Sequence, residues 1–478
     1  MFAAAVGTPS PWRDEVATLA SSRVPVDTVV SDARTVDAVH VGYYLLVHLI
    51  DSGVGGGVLA GRWLSVAFLA ATVGLTVLTG AVLRSPAAGV VAGTVLAVSP
   101  LASRYAQEVR PFAGAALAAI AATLALLRAT TVGRVGWWVA YAGLLVAVGA
   151  ADVLALAVLL AHLGWLAVRG NRRHLVGWMV CAAGALLTLS PLLVVVFAQR
   201  RQVGAPGRPP LSALAGYVTG ALGSGVGVAA SLGLLVAGAV PALRGSAATA
   251  AADGHPTAAG TAAAAGPEAA TGSRDRAAAV VLAAVWGLAI PLGLFTVSQV
   301  HPLFAVRYLV FCLPGIALLW GITAARVRPA VAVLAVLVVA GSGLPQQLRE
   351  RGPSGHGEDL VALDAVIAAH AHRGDDVVFI PWSVRRVSQL DPALWAGLDD
   401  PVLTQPDRST ALFASRADPT TALTRLDHAR RVLLISRTAT GGSPPDPEDA
   451  AVAAAVRRRL PTQTTIPVEG FTVEIHTP

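Results

Sequence analysis

The sequence predicts an α-helical polytopic membrane protein followed by a small α/β domain, and three observations support this fold class. Of the 478 residues, 55% are hydrophobic, and the mean hydropathy of +0.65 exceeds that of soluble domains. Apolar runs of about 17 to 25 residues, the length that crosses a bilayer, recur between residues 59 and 343. After residue 344 the apolar runs shorten and the charge density rises.

The distribution of charge along the chain is that of a protein embedded in a membrane. The chain contains no lysine, so its net charge of +7 is carried by arginine, and many arginines occupy short gaps between apolar runs. Such a distribution is typical of membrane topology and argues against a nucleic-acid partner. The two cysteines, Cys181 and Cys312, lie within apolar runs, so we expect neither a disulfide nor a thiolate metal site.

Ten segments are predicted to be membrane helices: 59–83, 86–103, 109–128, 135–150, 151–168, 176–198, 222–243, 279–297, 306–324 and 327–343. Taken in order, they place Arg84, Arg128, Arg169 and Arg326 on one side of the membrane. The positive-inside rule makes that side the cytoplasm. We therefore expect a multi-pass plasma-membrane protein whose loop at Arg104–Arg110, N-terminal segment and C-terminal domain are extracytoplasmic.

The N-terminal segment, residues 1–58, is predicted to be an outward loop with an interfacial helix. The stretch VDAVHVGYYLLVHLI has paired tyrosines and an apolar flank that suit the membrane interface. Only MFAAAVG precedes the polar TPSPWRDE, and seven residues cannot cross a hydrocarbon layer of about 30 Å. We therefore expect the natural reading frame to continue upstream into a first spanning helix.

Two further regions differ in composition. Residues 245–276, within the predicted membrane domain 59–343, are rich in Ala, Gly, Thr and Pro and predict a flexible cytoplasmic loop. In residues 344–478 the short apolar runs DDVVFIP, RRVLLIS and FTVEIH alternate with amphipathic stretches. Strands that alternate with helices predict an α/β domain of about 130 residues.

Ionisable residues cluster at three points along the predicted outer face. Asp14 and Glu15 lie in PWRDE, Arg307 lies in HPLFAVRYL, and the segment SPLASRYAQEVRPF contains Arg104, Tyr105, Gln107, Glu108 and Arg110. Ionisable groups are costly at a membrane boundary, so each cluster is a functional-site hypothesis. The structural alternatives are solvated loop acids, snorkelling arginines and packing at helix boundaries.

These residues belong to an ordered set of motifs that resembles a known family. The set comprises the DE pair, HVGYYLL, GRWLS, SPLASRYAQEVRPF and PLFAVRYL, in that order between about residues 11 and 325. It is similar to the GT-C fold glycosyltransferases, and within them to the bacterial protein O-mannosyltransferase and aminoarabinose-transferase group. The resemblance implies a GT-C-like bundle of about ten to eleven spanning helices.

The resemblance also implies an activity. Members of this group transfer a sugar from a polyprenyl-phosphate donor to an acceptor at the outer membrane surface, with inversion at the anomeric carbon. Mannose is the sugar expected here, and the acceptor is a protein, a lipid or a glycan. An inverting transfer needs a base for the acceptor proton, and Asp14 is the first candidate, with Glu15 second.

The remaining candidates are expected to bind substrate. Arg110 and Arg307 are expected to bind the lipid phosphate because guanidinium binds phosphate bidentately, with Arg104 third. Glu108 would orient Arg110 or contact the sugar. The other expected contacts to sugar or lipid are Tyr105, Gln107, His40 and Tyr44.

Three questions stay open at the level of sequence. No metal ligands are assigned, because no spacing in the sequence demands a metal site. A divalent ion held by His40 or His301 together with Asp14 or Glu15 stays open. A secondary transporter would also have about ten helices, but its polar residues would lie at the bilayer midplane rather than at the outer edge. A non-catalytic scaffold that handles polyprenyl-linked intermediates would keep the arginines without needing Asp14.

Overall fold

The fold is that of a computed structural model that describes residues 1–201, 207–252, 267–404, 416–438 and 446–478. The chain divides into two compact units. The first unit comprises Met1–Ala3, Leu64–Gln107 and Pro111–Gln347, and the second comprises Ala4–Trp63, Glu108–Arg110 and Leu348–Pro478. The second unit therefore joins N-terminal and C-terminal residues that are far apart in the sequence.

Three helices open the second unit: α1 Arg13–Ser22, α2 Val26–Thr35 and α3 Val41–Val54. Pro25 separates α1 from α2 because the residue before a proline avoids the helical region. Ala17 and Ala20 of α1 pack with Val29 and Tyr44 in a small apolar cluster. The helix α3 covers most of the stretch that the sequence predicts to be an interfacial helix.

Helices make up most of the described chain between residues 57 and 350: α4 Gly57–Leu83, α5 Pro86–Ala97, α6 Pro100–Tyr105, α7 Phe112–Val132, α8 Val135–Ala151, α9 Val158–Arg169, α10 Arg172–Ala198, α11 Leu211–Leu222, α12 Gly225–Ala252, α13 Pro267–Ala284, α14 Ile290–Val297, α15 Leu313–Ala324 and α16 Pro329–Glu350. Each of the ten predicted membrane segments overlaps at least one of these helices. The low-complexity segment 245–276 extends across residues 253–266, which lie outside the described residues.

Within the described part of the chain, six helices are long and apolar enough to cross a membrane: α4, α7, α10, α16, Gly272–Val297 and Val306–Ala324. The pair Leu211–Leu222 and Gly225–Ala239 is bent by 76° and makes a seventh if it counts as one span. The sequence predicts ten to eleven spans, so several of the predicted segments form shorter helices.

Helix caps explain two of these shorter helices. The Ser99 hydroxyl accepts the Ala102 N–H, and Pro100 occupies the first helical position, where proline is tolerated because its missing N–H needs no partner. The predicted segment 86–103 is therefore divided into α5 and α6. In the same way the Asp152 carboxylate accepts the Leu154 N–H and separates α8 from the turn that precedes α9. Ser and Asp are favoured at such N-terminal caps.

A buried polar network links α7, α8 and α9 in the first unit. The His162 ring lies between the Tyr141 hydroxyl, 2.9 Å from Nδ1, and the Thr123 hydroxyl, 3.0 Å from Nε2. Thr123 donates its own proton to the Ala119 carbonyl at 2.8 Å. Both ring nitrogens thus have partners, as a polar group buried among apolar helices requires.

The C-terminal part of the second unit is a four-stranded sheet with helices. The strands are β1 Asp376–Ile380, β2 Val432–Arg437, β3 Thr462–Val468 and β4 Phe471–Thr477, in the spatial order β1-β2-β4-β3. β1 and β2 are parallel, and the other two pairs are antiparallel. The helices are α17 Leu360–His370, α18 Pro392–Trp395, α19 Pro419–Leu426 and α20 Pro447–Arg459.

The two faces of this sheet cover two different cores, because successive side chains of a strand point to opposite faces. Val377 and Phe379 of β1 face a core that contains α17. Val378 and Ile380 face a second core that contains α19 and α20. Val16 of α1 is part of the first core, so the N-terminal helix packs within the α/β domain.

The predicted fold class, a polytopic helical membrane protein with a small α/β domain, is confirmed. The three runs predicted as strands form β1, β2 and β4, whereas β3 is an additional strand. The predicted domain boundaries 1–58, 59–343 and 344–478, and the extracytoplasmic side of the last domain, stay predictions.

Candidate functional site

The first turn of α1 presents two adjacent carboxylates to different surroundings. Asp14 is half-buried, whereas Glu15 is fully buried. Consecutive helical residues lie about 100° apart around the axis, so the two side chains diverge. The N-terminus of a helix also favours negative charge, since its first N–H groups have no partner within the helix.

Glu15 forms a bidentate ion pair with Arg62 near the start of α4. The Arg62 Nε donates to Glu15 Oε1 at 2.9 Å, and Nη2 donates to Oε2 at 2.7 Å. The same guanidinium donates to the carbonyls of Val6 and Pro9, at 3.2 and 2.7 Å. Arg62 and Glu15 are both closed to solvent, and this charge-assisted fork fixes the segment before α1.

The segment Glu108–Arg110 also contacts Glu15 through its backbone. The Val109 N–H donates to Glu15 Oε1 at 2.9 Å. Val109 also packs directly against Gly61 of the GRWLS motif, where a Cβ would lie only 2.4 Å from the Val109 Cγ1. Glycine is therefore required at this close approach. Gly61 contacts Val109 directly, and its neighbour Arg62 binds the same Glu15 carboxylate that accepts the Val109 N–H.

Arg110 connects α1 to the turn that precedes α3. Its Nη1 donates to the Asp14 carbonyl at 3.2 Å and lies 3.3 Å from the Thr18 hydroxyl. Its Nη2 lies 2.8 Å from His40 Nε2, and since a guanidinium only donates, this ring nitrogen accepts. The arginine is buried, and two of its guanidinium nitrogens donate hydrogen bonds to acceptors of the protein.

Asp37 and Tyr44 complete this cluster on the α3 side. The Tyr44 hydroxyl donates to Asp37 Oδ2 at 2.5 Å, and the His40 ring packs edge-on against the Tyr44 ring. Burial and the charge of Asp37 raise the pKa of Tyr44 well above its ordinary value, which keeps the hydroxyl protonated as a donor. Asp37 has a left-handed backbone with φ 54°, a conformation that is uncommon outside glycine and that Asp tolerates.

A loop of the C-terminal domain that contains His356 and Glu358 contacts the beginning of α1. Glu358 Oε2 accepts the Arg13 N–H at 3.2 Å, and Glu358 Oε1 lies 3.1 Å from Arg13 Nε. His356, in the same loop, has its Nδ1 3.7 Å from Glu15 Oε2. Burial raises the pKa of Glu358, and the Arg13 guanidinium partly offsets this rise.

Two other predicted arginines belong to the first unit, where they flank a row of aromatic rings. The Phe112 ring lies between the rings of Tyr105 and Tyr308, at centroid distances of 5.5 and 6.1 Å, in edge-to-face geometry. The Arg104 guanidinium lies 6.0 Å from the Tyr105 centroid, and that of Arg307 lies 5.2 Å from the Tyr308 centroid. Both arginines are half-buried, as cation–π partners often are.

The remaining predicted site residues are closed to solvent. Gln107 donates from Nε2 to the Phe2 carbonyl at 3.2 Å, and Glu108 is fully buried. No group of three or more His, Cys, Asp or Glu side chains in the described ranges is arranged to hold a metal ion. His40 also directs Nε2 toward the cationic Arg110, which does not suit a metal ligand.

Arg62, Asp37 and Glu358 take part in these contacts but are not among the sequence-predicted site residues. Arg62 lies within the quoted GRWLS motif, and Asp37 precedes His40 by three residues, the spacing of neighbours on a helical turn. Those two signals were available in the sequence. Nothing in the sequence links Glu358 to Arg13, because 345 positions separate them.

Comparisons with known proteins assign the fold. No protein-family model matches the sequence, and no curated protein matches it. Among solved structures, the chain is similar to ArnT from Cupriavidus metallidurans in the apo state, with a TM-score of 0.58 and 12% identity. It is also similar to the same protein bound to undecaprenyl phosphate, with a TM-score of 0.51 and 12% identity. Each comparison covers 98% of this chain and 94% of the other.

Both similarities extend over nearly the whole chain. The α-helical bundle and the small C-terminal domain together therefore have the fold of ArnT, which is the GT-C fold that the sequence motifs predict.

Proposed function

We propose that this protein is a membrane glycosyltransferase that transfers a sugar from a polyprenyl-phosphate donor to an acceptor hydroxyl. The observation that carries the proposal is the half-buried Asp14, presented at the end of a helix whose neighbouring Glu15 is locked by Arg62 and Val109. A catalytic base must be held in one geometry by its surroundings. The shared fold supports the donor class, since one ArnT structure is bound to undecaprenyl phosphate.

In the proposed reaction, the Asp14 carboxylate accepts the proton of the acceptor hydroxyl. The hydroxyl oxygen attacks the anomeric carbon on the face opposite the phosphate, and the bond between that carbon and the phosphate oxygen breaks. Polyprenyl phosphate leaves with the electron pair, and the product has the inverted anomeric configuration. The growing negative charge on the phosphate requires a cation for its stabilisation.

We assign that cation role to Arg307, with Arg104 second. Both are half-buried, both lie near an aromatic ring, and a guanidinium group can bind a phosphate bidentately. Arg110 has two guanidinium nitrogens directed at acceptors in α1 and at His40, just before α3, which favours a positioning role over the phosphate contact that the sequence suggests. Glu15 is enclosed by Arg62 and Val109, so we assign it a positioning role as well.

The finer identity of the substrates follows from the resemblance alone. Mannose is the proposed sugar, and aminoarabinose is the alternative, since the motifs are similar to both groups of transferases. The acceptor is proposed to be a protein, lipid or glycan on the outer face of the plasma membrane. The arginine pattern supports that orientation through the positive-inside rule.

Membrane vesicles from cells that produce the protein, which retain protein, lipid and glycan acceptors, test this proposal with radiolabelled polyprenyl-phosphate-mannose and, in parallel, polyprenyl-phosphate-aminoarabinose. We expect Asp14→Asn to abolish transfer while donor binding stays nearly intact, because Asn cannot accept the proton. Asp27→Asn is the matched control, since Asp27 is an exposed acid in the first turn of α2. Transfer by Asp14→Asn at the parental rate would exclude Asp14 as the base. Donor binding without transfer in the parent would indicate a scaffold.

A further inference from the structure

Glu358 is a buried carboxylate of the C-terminal domain that contacts the start of α1. Only 4% of the residue is exposed. Its Oε2 accepts the Arg13 N–H at 3.2 Å, and its Oε1 lies 3.1 Å from Arg13 Nε and 3.6 Å from Arg437 Nε. Glu358 is thus shared between α1 and the end of β2.

This carboxylate replaces the local cap that α1 lacks. Trp12 occupies the N-cap position and makes no side-chain capping hydrogen bond. The first N–H groups of a helix need an acceptor from elsewhere, and a carboxylate there also interacts favourably with the helix dipole. Glu358 supplies both, although it lies 345 positions away in the sequence.

The sheet holds Glu358 rigidly. The Asp359 N–H donates to the Glu469 carbonyl at 3.0 Å, which ties the loop to the turn between β3 and β4. That turn comes so close that a Cβ on Gly470 would lie 2.8 Å from the Glu358 Cγ, and Gly470 has φ +85°. The glutamate therefore has little freedom to move away from α1.

We propose that Glu358 is a positioning residue for transfer, through which the C-terminal domain sets the orientation of Asp14. Arg13 directly precedes Asp14, so the contact that fixes the Arg13 backbone also fixes the direction in which the Asp14 side chain leaves the helix. Val16, two residues further, packs in the core of the same domain. This inference rests on the proposed function, because it assigns Asp14 the role of the base.

The test uses the full-length protein with Glu358→Gln and Glu358→Ala, and with Asp359→Asn as the matched control. Asp359 is the neighbouring carboxylate, but it caps α17 through the Ala362 N–H rather than α1. We expect Glu358→Ala to lower kcat by about 10-fold to 100-fold with the KM for the lipid donor unchanged, since misplacement of a catalytic group costs rate rather than binding. Glu358→Gln should lose less, because its amide oxygen still accepts the Arg13 N–H.

A second measurement does not depend on activity. Hydrogen–deuterium exchange of the first turn of α1 should accelerate in Glu358→Ala and stay at the parental rate in Asp359→Asn. Unchanged exchange in Glu358→Ala would overturn the contact itself, whatever reaction the protein catalyses. Faster exchange with an unchanged kcat, alongside an inactive Asp14→Asn, would overturn the positioning role alone. Parental protein that transfers no sugar from either donor would overturn the proposed function, and this inference with it.

Discussion

Asp14 and Glu15 show how strongly the surroundings separate two neighbouring acids. Glu15 is fully buried and has a bidentate arginine and a backbone N–H as partners. Asp14 keeps part of its surface exposed, which its proposed role as the base requires. A buried charge without its partner is costly, so the stability of the folded protein depends on Glu15 and Arg62 as a pair.

Glu15→Gln is expected to destabilise the protein by about 3 to 5 kcal/mol, because it leaves the Arg62 charge buried without compensation. Thermal unfolding in detergent measures this effect. The double variant Glu15→Met with Arg62→Met should recover a large part of the loss, since it removes both charges. Asp427→Asn is the control: it breaks the exposed pair with Arg459 and should change stability by less than about 1 kcal/mol. Equal effects of the two single variants would contradict the importance of burial.

Arg307→Ala is expected to lower the rate of transfer by about 30-fold to 1000-fold, which corresponds to about 2 to 4 kcal/mol of transition-state stabilisation. Arg307→Lys should recover only part, because an ammonium group cannot form the bidentate fork. Arg104→Ala should have the same direction and a smaller effect.

Arg200→Ala is the control for Arg307, because Arg200 also lies over an aromatic ring, that of Phe197 at 4.2 Å, but is exposed. Parental turnover of the polyprenyl-phosphate donor by both Arg307→Ala and Arg104→Ala would show that these arginines only anchor the protein at the membrane interface.

At the scale of elements, Gly61 decides how closely the 108–110 segment approaches α4. Gly61→Ala is expected to cost about 1 to 3 kcal/mol of stability, as overpacked sites do, because the new Cβ would lie 2.4 Å from a Val109 methyl. Adding Val109→Ala removes that methyl and should restore part of the loss. The unfolding midpoint measures both.

Gly53→Ala is the matched control near the end of α3, since nothing lies within 4 Å of the Cβ that it would add. Its stability should stay the same or rise slightly, because alanine favours helices over glycine. A similar loss in both alanine variants would mean that the contact with Val109 is not what requires glycine.

The elements differ in how far the sequence predicts them. Long apolar runs identify the membrane helices because the bilayer imposes a length and a composition. The strand β3 was missed because it lies at the edge of the sheet and is mostly exposed. An edge strand needs no apolar alternation, and TQTTIPV even contains Pro467, which is tolerated at an edge.

The candidate site is predictable only where its residues are close in sequence. The DE pair and the YAQEVRPF segment are visible as local clusters of charge. Their arrangement depends on pairings such as Glu15 with Arg62 and Arg13 with Glu358, separated by 47 and 345 positions. A single sequence does not show which distant residues pair, so only the folded chain shows which acid keeps part of its surface exposed and which is enclosed.

At the scale of the whole molecule, the arginine pattern predicts that the N-terminal helices and the C-terminal domain are extracytoplasmic. In a background with Cys181→Ala and Cys312→Ala, single cysteines at the exposed positions Ser31 and Ser354 should react with an impermeant maleimide in intact cells. A cysteine at the exposed Asn171, on the predicted cytoplasmic side, should react only after lysis. The reverse pattern would invert the proposed topology.

The discontinuous second unit has a consequence for biosynthesis. Its N-terminal part ends at Trp63, and its last part begins at Leu348. At a translation rate of roughly 5 to 20 residues per second, the ribosome needs on the order of 10 to 60 s to synthesise the intervening chain. During that time α1 cannot bury Val16 or pair Arg13 with Glu358. A premature stop codon late in the gene would therefore leave Arg13 and Val16 of α1 without these partners, besides removing the last domain.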